Sequence, residues 1–299
     1  AKLKSWPFES VRQQYTWKDA ALYALSIGYG ADPLDERELR FVYEGVAGAD
    51  ADGAGSLLAV PTLAVVLATP GFWPKNPESG IDWVKVLHGE QTLVLHKPLP
   101  ASATVVSTNR VAKIIDKGAG KGAILVQERQ LHDEASGELL ATLESVTFCR
   151  GNGGYSTIEG NGPKGGDEPA EPKPKVPERA PDKTCALTVP PNTALIYRLC
   201  ADLNPLHADP KVAADAGFKQ PILHGLASFG VAAHAIIKTC CELDPSRLGS
   251  IGLRFSSPVY PGETLLTDIW ETDLGVQFQT RVAEREIVAL SHGLASIKS

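Results

Sequence analysis

The chain has 299 residues, 43% hydrophobic and 21% charged, which is enough for two compact domains and excludes wholesale disorder. Its formal net charge is −6, with Lys and Arg scattered along the sequence, so a surface built to neutralise a nucleic-acid backbone is excluded. Cys149, Cys185, Cys200, Cys240 and Cys241 form an odd set without a Cys-x-x-Cys pair, which argues against a disulfide framework or a four-cysteine zinc site and for a reducing compartment.

No apolar run is long enough to cross a bilayer, so no membrane insertion is expected, and the first residues lack the apolar stretch of a secretory signal. In chain order, a first helix is expected to end in Tyr23-Ala24-Leu25-Ser26 and to lead to Asp32-Pro33-Leu34-Asp35. A short helix around Val60 to Ala68 is cut off by Pro70-Gly71, and β-rich segments follow at 86–97, 103–117, 123–133 and 138–149. From Gly151 to Lys183 the composition changes to Gly, Pro and Lys, which reads as an extended linker. The expected domains are therefore 1–150 and 184–299, joined by the linker 151–183.

The second domain repeats the order of the first. Tyr197-Arg198-Leu199-Cys200 leads to Asn204-Pro205-Leu206-His207, as Tyr23-Ala24-Leu25-Ser26 leads to Asp32-Pro33-Leu34-Asp35. A short helix at about 210–216 starts at the Asp209 cap with Pro210 in its first position and stops at Gly217. From Gly225 to Cys241, apolar residues recur at helical spacing with almost no charge, the pattern of an interior helix. Strands are then expected at 250–257, 263–273, 276–284 and 286–297. An interior helix wrapped by a curved antiparallel sheet, twice in one chain, is an α+β double hot-dog.

The chemistry concentrates at Asp202-Leu203-Asn204-Pro205-Leu206-His207. Pro205 disfavours helical dihedrals at Asn204, so the helix through Leu195 to Ala201 ends near Asp202 and the chain turns. That break allows His207 to fold back towards the Asp202 carboxylate, where one water can bridge the two. Gln220-Pro221-Ile222-Leu223-His224-Gly225 then delivers the chain to the start of the interior helix, where free N–H groups are available. The Gly225 N–H suits a thioester carbonyl that gains charge during attack, a contribution of about 3–4 kcal/mol in comparable sites.

Asp202-x-Asn204-Pro205-Leu206-His207 followed by Pro221-Ile222-Leu223-His224-Gly225-Leu226 resembles the hydratase 2 motif of the MaoC-like (R)-specific 2-enoyl-CoA hydratases, including the hydratase units of peroxisomal multifunctional enzymes type 2. The resemblance extends from about Tyr23 to Val288. It implies a lyase of fatty-acid β-oxidation that reversibly hydrates trans-2-enoyl-CoA to (3R)-3-hydroxyacyl-CoA. Asp202 and His207 would be catalytic, Asn204 would position water and substrate, and Gly225 would polarise the carbonyl. Substrate contacts would come from His88, Gly89, Lys117, Leu203, Pro205, Leu206 and Phe255. No cofactor is implied. The first domain, with Asp35 where His207 would stand, resembles the family's degenerate half, which accommodates a long acyl tail. One departure is Cys200-Ala201 where the motif usually has Ser-Gly. The resemblance also implies a peroxisomal location, although Ile297-Lys298-Ser299 is not the Ser-Lys-Leu address, and hot-dog sheets commonly pair into homodimers.

Bland readings stand beside these. An Asp and a His five apart are, alone, more often a turn carboxylate and a capped histidine, and His224 reads as a core histidine bonded to backbone. Lys117 sits in a glycine-rich turn, and Phe255 alternates with core positions. Asp202, His207 and His224 formally make a two-histidine, one-carboxylate metal set, but the spacing does not demand it and no metal is expected. The competing functions are a thioesterase and a non-catalytic acyl-binding module.

Overall fold

The computed structural model describes residues 2–46, 55–157, 167, 173–200 and 202–298. Ten strands form one antiparallel sheet: β1 (Val11–Tyr15), β2 (Val86–Leu95), β3 (Ala103–Asp116), β4 (Ala123–Asp133), β5 (Leu139–Cys149), β6 (Lys183–Thr188), β7 (Leu248–Phe255), β8 (Thr264–Thr272), β9 (Gly275–Val282) and β10 (Ile287–Ile297). Their order is β1-β3-β4-β5-β2-β7-β10-β9-β8-β6. The last five strands thus repeat the order of the first five in reverse, and the two sets join where β2 pairs with β7. Gly252 sits opposite Thr92 in that seam, and a Cβ there would lie 2.9 Å from the Thr92 hydroxyl, so only glycine fits without a shift.

The helices lie against this sheet: α1 (Trp17–Ser26), α2 (Glu36–Leu39), α3 (Thr193–Tyr197), α4 (Pro210–Asp215) and α5 (Gly225–Cys240). Helix α5 is the interior helix, buried from Ala227 to Ile237 and packed on β6, β7, β8 and β10. Helices α1 and α3 pack on each other, with the Tyr23 and Tyr197 rings 5.9 Å apart. This is the double hot-dog, and the eight strands expected from alternation match the observed ones to within two residues at each end. Strands β1 and β6 were not expected. Each is only five or six residues long and at a sheet edge, too short for its alternation to stand out in sequence.

The first-half helix expected at Val60 to Ala68 is instead a 3₁₀ segment, Pro61–Val65. An α-helix would join the Ala68 N–H to the Ala64 carbonyl. Here the Ala68 N–H goes to Gln13, and the buried Arg129 guanidinium donates to the carbonyls of Ala64 and Val65. Burial pushes the Arg129 pKa down to about 10, so the cation persists at neutral pH. Helix α3 is also shorter than expected: its last helical residue is Tyr197, turns follow to Cys200, and Ala201 lies outside the described residues.

Of the linker 151–183, residues 158–166 and 168–172 lie outside the described residues. What is described is anchored to the sheet. Asp167 bonds to the backbone of Ile114 and to Lys4, Lys173 pairs with Glu90, and the Lys175 and Arg179 carbonyls accept from Gln277 and Trp270. The stretch from Lys183 to Thr188 is strand β6.

A buried ionic cluster connects the two halves. The Glu38 carboxylate, 2% exposed on α2, accepts from His234 and Lys238 of α5 and from the Gly30 N–H, while His234 also bonds the Ile27 carbonyl and stacks on Tyr29. Burial alone would raise the Glu38 pKa, but the bonds and charges of His234 and Lys238 outweigh it and hold the pKa at about 2. The carboxylate's stabilising contribution is therefore complete above the ordinary Glu range and is lost as pH falls towards about 2. We expect Glu38→Gln to lower stability at pH 7 by about 2–3 kcal/mol, less than the roughly 3–5 kcal/mol of a fully buried broken pair because Lys238 is partly exposed. Urea unfolding measures it, and the deficit should shrink below pH 4.

Candidate active site

The turn after α3 brings the polar residues together. The Asp202 carboxylate accepts from the Asn204 N–H at 2.9 Å, and the Asn204 side chain accepts from the Leu206 N–H at 3.1 Å, capping a 3₁₀ turn over Pro205–His207. Both bonds are short-range, as expected where a proline ends a helix. Asp202, Leu203, Asn204 and Pro205 are exposed, Leu206 is half-buried and His207 is 8% exposed. Asp209 then accepts from the N–H groups of Lys211 and Val212 to start α4, and Gly217 leaves it at φ +86.

His207 Nδ1 lies 2.8 Å from the Ile222 carbonyl. A carbonyl only accepts, so Nδ1 carries the proton and Nε2 of the neutral ring offers its lone pair. The side-chain ligand atoms of Asp202, His207 and His224 all lie within 4.8 Å of one another. One water bonded at ordinary length to a carboxylate oxygen and an imidazole nitrogen spans about 4.5–5 Å. The turn therefore brings a carboxylate and an imidazole within the reach of one bridging water.

His224 is more than a neighbour. Its ring stacks on His207 at 3.8 Å and 28°, its Nε2 donates to the Asp202 carbonyl at 3.1 Å, and the Tyr197 ring lies 4.9 Å away. Stacking sets the in-plane lone pairs of the two imidazoles side by side, and one nitrogen of each is engaged by a carbonyl. Burial lowers the His207 pKa, partly opposed by the Ile222 bond and the Asp202 charge. Burial and then a charge on His207 lower that of His224 to about 4.

Helix α5 begins beside this pair. The Ala227 and Ser228 N–H groups bond to the His224 carbonyl, which leaves those of Gly225 and Leu226 without a helical acceptor. Gly225 is exposed and faces the Phe255 ring, which a Cβ would meet at 3.5 Å. Phe255 in turn sits edge-on to His88 at 4.9 Å. Gly89 lies at a register shift of β2 against β5, and His88 Nε2 bonds the Glu90 carbonyl at 3.1 Å. Burial lowers the His88 pKa to about 4, so the ring is neutral. Thus Phe255 of the sheet seam lies between Gly225 and His88, with Gly89 next to His88 in β2.

Lys117 stands apart, exposed in the β3–β4 turn. The turn is held by Asp116, which accepts from the N–H groups of Gly118, Gly154 and Ser156, and these bonds keep its pKa well below the usual range despite partial desolvation. The register places Lys117 at the same sheet end as His88 but three strands across and three residues beyond Ile114, the residue level with His88, about 17 Å away. His224 is buried and bonded to backbone, as its sequence context suggested, but which backbone it reaches was not legible. Its adjacency to Gly225 was the only local signal, and its contact with Asp202 joins residues 22 apart.

Comparison with known proteins first defines the class. Residues 172–291 match the family described as MaoC like domain, and residues 13–151 match the MFE-2 hydratase 2 N-terminal domain. A double hot-dog protein of Mycobacterium tuberculosis, 14% identical, shares the fold with a TM-score of 0.57. The chain is 39% identical to the peroxisomal enoyl-CoA hydratase 2 of Arabidopsis thaliana, covering 94% of this chain and 89% of that one. It is 34% identical to the peroxisomal multifunctional enzyme type 2 of Drosophila melanogaster, covering 100% of this chain but only 48% of that longer protein. The crystal structure of a MaoC-like dehydratase from Phytophthora capsici superimposes with a TM-score of 0.83 at 34% identity, covering 100% and 98% of the two chains. The chain belongs to the MaoC-like enoyl-CoA hydratase 2 family.

The buried imidazoles make a direct prediction. In an NMR titration, His207 should gain its second proton below the ordinary imidazole value of about 6.5, and His224 should remain neutral to about pH 4. Titration of either ring above pH 7 would contradict this environment.

Proposed function

We propose that this enzyme reversibly adds water to C3 and a proton to C2, on one face of a trans-2-enoyl-CoA, yielding a (3R)-3-hydroxyacyl-CoA. The observation that carries the reading is that the Asp202 carboxylate and His207 imidazole lie within the reach of one bridging water beside the first turn of α5. The two groups hold the water, and the pair supplies both its deprotonation and the proton for C2. The Gly225 N–H donates to the thioester oxygen as negative charge develops on it. Asn204 orients the turn through its bond to Leu206, and Leu203, Pro205 and Leu206 form the wall beside it.

On the CoA side, His88, Gly89 and Phe255 flank the thioester, and Lys117 is placed to meet a phosphate farther along the sheet end. The acyl tail runs towards the first half, where a 3₁₀ segment stands in place of a second interior helix. The Arabidopsis thaliana and Drosophila melanogaster relatives are both named peroxisomal, which supports a place in peroxisomal fatty-acid β-oxidation.

Incubation with trans-2-decenoyl-CoA should abolish the conjugated absorbance without releasing free thiol, and chiral analysis should give the (3R) product. Thiol release would indicate a thioesterase. Asp202→Asn and His207→Ala should each lower kcat by about 10²–10⁴-fold with the fold intact, the range for loss of a positioned acid or base. Near-normal rates in either would remove that residue from the reaction. Gly225→Ala makes only an ordinary contact with Phe255, so it should fold normally while a methyl crowds the thioester site. We expect kcat/KM to fall by at least about tenfold, as for a substrate displaced by part of an ångström.

A further inference from the structure

Among the described residues, one hydrogen bond ties Asp202 to anything outside its own turn: the donation from His224 Nε2 to the Asp202 carbonyl at 3.1 Å. The rest of the Asp202–Pro205 turn is exposed. The ring that makes this bond is 2% exposed, sandwiched by His207 at 3.8 Å and Tyr197 at 4.9 Å, and its backbone caps α5 immediately before Gly225. Its Nδ1 is buried without a partner, so among the described residues the bond to Asp202 is the one hydrogen bond of the imidazole. The His224 carbonyl is itself fixed, accepting from the Ala227 and Ser228 N–H groups at 3.1 Å.

We infer that His224 is a positioning residue for the hydration reaction, one buried side chain that registers the Asp202 turn against His207 and the start of α5. This rests on the functional reading above and assigns His224 a role beyond core packing. A carboxylate on an exposed turn samples positions that differ by an ångström or more, and such misplacement costs about 10²-fold in rate. The His224 bond restrains the backbone that carries Asp202, and the stacked ring restrains the imidazole that shares the water. Because its Nε2 is engaged by the Asp202 carbonyl and its Nδ1 is buried, His224 acts through the turn rather than on the thioester, and its loss should slow turnover while leaving substrate affinity in place.

Two substitutions separate the bond from the ring. His224→Phe keeps an aromatic face for His207 and Tyr197 but removes the donor. His224→Gln keeps an N–H close to the position of Nε2 and removes the ring. With trans-2-decenoyl-CoA, His224→Phe should lower kcat by at least about tenfold with KM within about twofold of the parent, and His224→Gln should recover to within about threefold. Wild-type kcat in a folded His224→Phe overturns the inference, as does a folded His224→Gln that is as slow as His224→Phe. If thermal unfolding shows that His224→Phe does not fold, the glutamine variant decides: near-parental kcat supports the bond, and a tenfold loss in the folded variant overturns it. An active parent with active variants removes only this inference, whereas a parent without hydratase turnover removes the functional reading and this inference together.

Discussion

The hydrogen bond from His207 Nδ1 to the Ile222 carbonyl is the contact on which the rest of the site depends. It selects the tautomer that leaves Nε2 free, and it orients the ring towards the Asp202 side of the turn. Ile222 belongs to the segment that enters α5, so the same three residues that fix the imidazole also lead to Gly225. Burial then favours the neutral ring, the form able to take a proton from water. In the reaction proposed above, substrate polarisation and water activation would both be tied to one short piece of backbone.

The two halves use the same plan for different ends. In the second half the interior helix is complete and its N-terminus is open to the site. In the first, Arg129 and Gln13 take the backbone groups that would have continued a helix, and only a 3₁₀ segment forms. Asp35, at the place matching His207, caps α2 by accepting from the Arg37 N–H. The first half thus presents a capping carboxylate where the second presents an imidazole, and its contributions to the site come instead from the sheet seam at His88 and Gly89. The Glu38, His234 and Lys238 cluster holds the halves together at a distance from this chemistry.

Much of the fold was legible because strand alternation and helix capping act over a few residues. The strands with one buried face show it in sequence, and so do Asp209-Pro210, Gly217 and the apolar run of α5. The edge strands β1 and β6 are too short for their alternation to stand out, and the Gly- and Pro-rich composition of the linker concealed side-chain and backbone anchors such as Lys173 and Arg179. The α-helix expected over Val60 to Ala68 failed for a related reason. Its apolar residues were read correctly as buried, but a guanidinium from β4, 65 residues away, decided its hydrogen bonding.

The sequence by itself determined the order of elements, the break at Pro205, and the residue types brought to it: a carboxylate, an amide and an imidazole before an interior helix. Local dihedral preferences and periodicity suffice for these. Only the tertiary structure decided that His224 lies on His207 and reaches the Asp202 backbone, that Phe255 contacts both Gly225 and His88, and that Lys117 stands three strands from His88. Those relations join distant residues through strand register and side-chain packing, and no short window of sequence contains both partners.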